Sequence, residues 1–146
     1  MVALAAVAFC ADNTLGTWKL NTAKSKFPAG QSPITSLTAV REAVGDGIKT
    51  TVKGEREDKS KIDCTYTTKR DGKEVAVTGS GLPYDMIAIK VVDDNTITDA
   101  RSKKGGMYKG TGKFVVSNGG KTGTLSVSGT GADGKPFTSV SVYDKQ

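Results

Sequence analysis

The chain has 146 residues, with 21 Lys+Arg against 15 Asp+Glu for a net charge of +6, and 18 glycines against 4 prolines. That length suits one domain with a single substantial core. It holds no histidine and only two cysteines, Cys10 and Cys64, which excludes Ser-His and Cys-His nucleophile pairs, histidine metal ligands and a four-cysteine zinc site.

The chain opens on Met1 to Ala11, uncharged and apolar, before Asp12-Asn13 begins the polar sequence. This stretch is too short to cross a bilayer as a helix. It reads as the apolar and cleavage part of a secretory signal without its basic start, with Ala8 and Cys10 at the small-residue positions. The expectation is an exported protein, periplasmic or secreted, with residues 1–11 a signal remnant and 12–146 the folded domain. The alternative is an added edge strand from Val2 to Phe9. If the leader is removed, Cys64 is a small buried side chain; a Cys10–Cys64 bridge requires the leader to stay.

Leu15–Leu20 follows and contains Trp18, the only tryptophan. Alternation along a strand turns Gly16, Trp18 and Leu20 to one face and Thr17 and Lys19 to the other. Asn21 to Pro33, with two prolines and a glycine, predicts a connection lying across the molecule, with Phe27 as a plug. From there strand-like runs alternate with turn chemistry. The runs are Ile34–Val44, Ile48–Glu55, Lys61–Lys69, Glu74–Gly79, Asp85–Val92, Thr96–Lys103, Met107–Val116, Lys121–Gly129 and Pro136–Asp144. Between them stand turns such as Gly45-Asp46-Gly47, Arg70-Asp71-Gly72-Lys73 and Asn118-Gly119-Gly120, whose residues tolerate positive φ. No run has sustained helical periodicity. The pattern predicts an all-β fold: one antiparallel up-and-down β-barrel of about 8–10 strands, since closure removes the exposed edges of a long meander.

Lysine positions orient the strands. Lys109 and Lys113 point out, so Tyr108, Gly110, Gly112, Phe114 and Val116 point in. Lys61, Asp63 and Lys69 outside place Ile62, Cys64, Tyr66 and Thr68 inside. Ile48, Thr50 and Val52, and Ile87, Ile89 and Val91, are assigned inward on the same grounds. This interior is rich in small and hydroxyl side chains with a few aromatics, which suits either a ligand space or simple packing.

Two motifs carry a resemblance. Gly16-Thr17-Trp18-Lys19-Leu20 resembles the first strand of fatty-acid-binding proteins and the Gly-x-Trp motif of lipocalins, both of the calycin group, and Ser141-Val142-Tyr143-Asp144-Lys145 resembles the closing strand of the fatty-acid-binding proteins. Gly16 to Phe27 is also similar to bacterial exported proteins of unassigned function that begin Gly-Thr-Trp-Lys-Leu-Asn. The resemblance implies a calycin-like barrel and turns Ser139, Ser141 and Tyr143 inward, whereas hydrophobicity alone would bury Val140 and Val142. The fatty-acid-binding pattern places an inward Arg-x-Tyr on the last strand. Here Ser141 stands at the arginine position, which weakens fatty acid as the ligand, because a buried carboxylate needs a cationic partner.

Other chemistry is better read as structure. Asp93-Asp94 lies in a hairpin turn, and Glu55/Glu57/Asp58 in a charged loop with Arg56 and Lys59. Asp99 and Arg101 share a strand face and read as an exposed ion pair. No catalytic residues, metal or cofactor are expected. Scattered lysines and 6% aromatics argue for a solvated basic surface, with weak attraction to an anionic envelope surface, rather than a nucleic-acid site. The expected function is binding of a small apolar or amphiphilic molecule, lined by Tyr66, Tyr108, Phe114, Ser141, Tyr143 and Trp18. The alternative is a structural or interaction protein with a filled barrel, and a histidine-free enzyme stands third. A cavity above roughly 300 Å³ is the mark of the first. Trp18, for its part, also reads as a plug closing one end.

Overall fold

The computed structural model describes residues 11–29 and 32–146; the leader up to Cys10, with its cleavage, edge-strand and disulfide alternatives, lies outside them. The chain forms β1 (Gly16–Lys26), β2 (Ile34–Val44), β3 (Gly47–Arg56), β4 (Lys61–Thr68), β5 (Asp71–Ala76), β6 (Thr78–Ser80), β7 (Met86–Asp93), β8 (Thr96–Ser102), β9 (Lys109–Ser117), β10 (Thr122–Thr130) and β11 (Pro136–Lys145). All belong to one antiparallel sheet in the order β5-β7-β8-β9-β10-β11-β1-β2-β3-β4-β6, curled into a nearly closed barrel.

The sheet's two edges are consecutive in sequence, and that fact closes the barrel. The run expected as a single strand, Glu74–Gly79, straddles the seam. Its first part pairs with β7 (Val75 opposite Ile87), and past Val77 it pairs with β4 (Cys64 opposite Gly79). The Val77 N–H still bonds back to Asp85 O at 2.8 Å, so the change of partner falls within two residues. Gly79 makes the crossing feasible. Its φ is +106°, and a Cβ there would overlap the Asp63 carbonyl oxygen, so only glycine lets β6 lie this close to β4.

The strands fold inward as their alternation dictates. In β9 Gly110, Gly112, Phe114 and Val116 are buried between exposed Lys109, Thr111 and Lys113. In β4 Ile62, Cys64, Tyr66 and Thr68 are buried. On β11 Ser141 and Tyr143 are buried while Val140 is exposed, so the last strand faces as the calycin pattern has it. The strand count is eleven, above the expected 8–10, because the Glu74–Gly79 run splits at the seam, and two further expectations need correction. β1 continues to Lys26, shortening the connection expected from Asn21: Ser25 Oγ bonds to Asn21 O (2.7 Å) and accepts from Val142 N (2.9 Å), carrying the strand across a bulge against β11. Val91, assigned inward, is 54% exposed, because the β5–β7 ladder ends at Lys90 and leaves it uncovered on that side.

One end of the barrel is sealed around Trp18. Its side chain is fully buried, its Nε1–H donates to Thr14 O (3.0 Å), and its ring meets Phe114 edge-on at 5.2 Å. A Cβ on Gly123 would run into the Phe114 ring and crowd Trp18, so that glycine is the space the aromatic pair occupies. Beneath Trp18 the turn 11–15 is fastened to distant elements. Asn13 N bonds to Asp94 O (2.9 Å). Asp12 accepts from Thr14 N (3.0 Å) and from Arg70 Nη1 (2.7 Å), and Arg70 Nη1 also donates to Thr14 Oγ1 (3.0 Å). Burial depresses the Arg70 pKa below the ordinary guanidinium value and Asp12 partly restores it, while neighbouring Arg41 adds to the depression.

Candidate ligand cavity

Above Trp18 and Phe114 the barrel interior holds a cavity of about 140 Å³. Its walls come from eight strands: Leu37, Ala39 and Arg41 from β2, Thr50 and Val52 from β3, Tyr66 from β4, Ile89 from β7, Ile97, Asp99 and Arg101 from β8, Phe114 from β9, Leu125 and Val127 from β10, and Ser139, Ser141 and Tyr143 from β11. Of the six residues expected as lining, Tyr66, Tyr108, Phe114, Ser141 and Tyr143 meet around this space, and Trp18 lies outside it. The volume falls below the roughly 300 Å³ that marks a drug-sized site. It matches the ~150 Å³ of an apolar cavity that takes a single aromatic ring.

The far end is covered by two connections, Phe27, Pro28 and Ser32 between β1 and β2, and Leu82, Pro83 and Tyr84 between β6 and β7. Phe27 thus covers the cavity as its sequence context predicts. Arg56 ties these connections together, donating from Nη1 to Ser32 O and from Nη2 to Gly81 O, each at 3.1 Å. An aromatic stack runs along this rim: Tyr84 against Tyr108 at 6.0 Å and Tyr108 against Phe137 at 5.5 Å.

The interior is also charged, which the sequence reading missed. Asp99 and Arg101 do not form an exposed pair. Their side chains are 10% and 9% exposed, and Arg101 donates from Nε to Oδ1 (2.8 Å) and from Nη2 to Oδ2 (2.7 Å). Inward alternation through Ile97, Asp99 and Arg101 puts them there. Glycine makes room: Gly112 lies opposite Asp99 and Gly110 opposite Arg101 on β9, and a Cβ on Gly112 would fall 2.6 Å from Asp99 Oδ2. The Arg101 guanidinium also lies 4.6 Å from the Tyr84 ring centre. Burial works against its charge, but Tyr84 and Asp99 hold it, so its pKa lies above the ordinary value. Burial raises the phenol pKa values of Tyr84, Tyr108 and Tyr143, with Arg101 opposing in all three and Arg41 in Tyr143.

Arg41 is the third missed residue, although Leu37-x-Ala39-x-Arg41 reads inward by the same alternation. Its guanidinium packs on Phe114, 4.3 Å from the ring centre. The carboxylate clusters at Asp93-Asp94 and at Glu55, Glu57 and Asp58 contribute nothing to the cavity wall, where Asp99 is the one acidic residue beside Arg41, Arg56 and Arg101. No protein-family model matches the chain, and no curated protein matches it.

Proposed function

We infer that the barrel is a binding protein that takes a small, amphiphilic molecule into its interior, and that it works in the periplasm or outside the cell. The observation that carries this reading is the interior space walled by Tyr66, Tyr108, Phe114 and Tyr143 with serine and threonine hydroxyls among them. Aromatic walls with a few convergent polar groups are the usual make-up of a small-molecule site. The barrel form and the calycin-like first and last strands agree with it, and the apolar leader supports export. The volume limits the apolar part of the ligand to about one ring or a short chain, which excludes a folded long-chain fatty acid without rearrangement of the rim.

The same small volume favours a second reading, a filled barrel acting through its exterior. Tyr108→Ala separates the two. In a binding barrel it alters uptake of a small apolar fluorophore; in a filled one uptake stays as in the wild type while stability falls by about 3–5 kcal/mol, as for other large buried aromatics. Native mass spectrometry of protein purified from its source adds a direct test, the binding reading expecting a small adduct that leaves on denaturation.

A further inference from the structure

The cavity contains donors that the protein itself leaves unused. Among the described residues, the buried side-chain nitrogen and oxygen atoms without a hydrogen-bond partner are Nε and Nη1 of Arg41, Oγ1 of Thr50, and Nε of Arg70. Three of these four belong to two residues that face each other across a ladder. Arg41 on β2 lies directly opposite Thr50 on β3, and Thr50 lies opposite Tyr66 on β4. All three side chains line the cavity.

The other arginines show what Arg41 lacks. Arg101 has both oxygens of Asp99, Arg70 has Asp12 and Thr14, and Arg56 has two carbonyl oxygens. Arg41 has the face of Phe114 alone, which contacts the guanidinium plane and leaves the buried Nε and Nη1 without acceptors. A buried donor without an acceptor is costly. The Asp99 carboxylate is already engaged twice by Arg101, so the cavity wall holds no free acid to neutralise Arg41.

We propose that Arg41 and Thr50 form an oxyanion site for the carboxylate of a compact monoanion whose apolar body lies among the cavity aromatics. This rests on the binding reading above and names its ligand class. Arg41 supplies charge and N–H donors, and the Thr50 hydroxyl donates to the same carboxylate. The site stands on β2 and β3, so it does not depend on the last-strand arginine position that Ser141 occupies.

The test uses benzoate and its neutral counterpart benzyl alcohol, titrated calorimetrically into the wild type, Arg41→Met, Thr50→Val and the exterior control Lys113→Met. Expected is benzoate binding that Arg41→Met weakens about ten- to hundredfold, the range for a hydrogen bond to a charged group. Thr50→Val weakens it less, Lys113→Met leaves it unchanged, and benzyl alcohol binding is insensitive to all three. Thr50→Val carries the test if Arg41→Met fails to fold. Equal binding of the two probes, or benzoate binding indifferent to Arg41 and Thr50, overturns the oxyanion site while leaving a binding barrel standing. Inorganic phosphate displacing benzoate as well as benzoate displaces itself overturns the carboxylate assignment. Binding of neither probe overturns both the site and the binding reading.

Discussion

Asp99→Asn is the sharpest probe of the charged interior. The substitution keeps size and shape but removes the counter-charge from Arg101, whose side chain is 9% exposed and donates two hydrogen bonds to that carboxylate. An exposed pair broken this way costs ~0.2–1 kcal/mol, whereas stranding one member of a buried pair costs about 3–5 kcal/mol. Burial on both sides and two well-aligned bonds put this pair in the second range. For a domain of this size, roughly 2–4 °C of melting temperature per kcal/mol translates that loss into a drop of about 6–20 °C. Urea denaturation of the wild type, Asp99→Asn, Arg101→Met and the double variant measures it as a cycle. The double variant should recover most of the loss, because replacing both charges by neutral groups removes the stranded cation. A loss under about 1 kcal/mol for Asp99→Asn would place the pair in the exposed range and refute the account of the interior given above.

Gly79→Ala should cost at least ~1–3 kcal/mol from the positive φ alone, with the Asp63 overlap added; accelerated amide exchange at Val77 and Gly79 locates the damage at the seam, and unchanged exchange there would refute it. Trp18→Ala should destabilise by about 3–5 kcal/mol, and since Trp18 is the sole tryptophan its emission in the wild type should be blue-shifted and report unfolding directly. Alkaline titration tests the buried phenols. The folded pKa values of Tyr84, Tyr108 and Tyr143 lie above the ordinary phenol value, so above about pH 10 the unfolded chain releases protons that the folded chain retains. Stability is therefore complete below pH 10 and falls as pH rises further, and tyrosinate absorbance should appear together with loss of structure. Ionisation of these three tyrosines in a still-folded protein, at the ordinary phenol pKa, would contradict their burial.

Most of the barrel was legible because lysines mark the outside of a strand and a period of two then fixes the inside. Tyr66, Tyr108 and Phe114 were found that way, and Ser141 and Tyr143 by likeness to a closing strand. The same rule failed where charge itself points inward. Asp99, Arg101 and Arg41 sit at inward positions in alternating runs, yet the expectation that charged side chains seek water assigned the first two to the surface and passed over the third. The informative signal lay on another strand: Gly110 and Gly112, inward but without side chains, are the space that Arg101 and Asp99 fill. Pairing that non-local is not readable from one strand at a time. The seam was hidden for a similar reason, since Glu74–Gly79 looks like one strand and its change of partner at Val77 depends on where β4 and β7 come to lie.

The ladder between β1 and β11, with Trp18 opposite Lys145, has a consequence for how the molecule is made. Until Pro136–Lys145 has left the ribosome, β1 and β10 each present an unsatisfied edge, and the cavity lacks the wall that carries Ser141 and Tyr143. Such edges invite pairing with other chains. Joining segments so distant in sequence is also a slow step. A nascent chain of this protein is therefore an open, adhesive ribbon until β11 arrives to join β10 and β1, and a holding chaperone should be of most use to it in that interval.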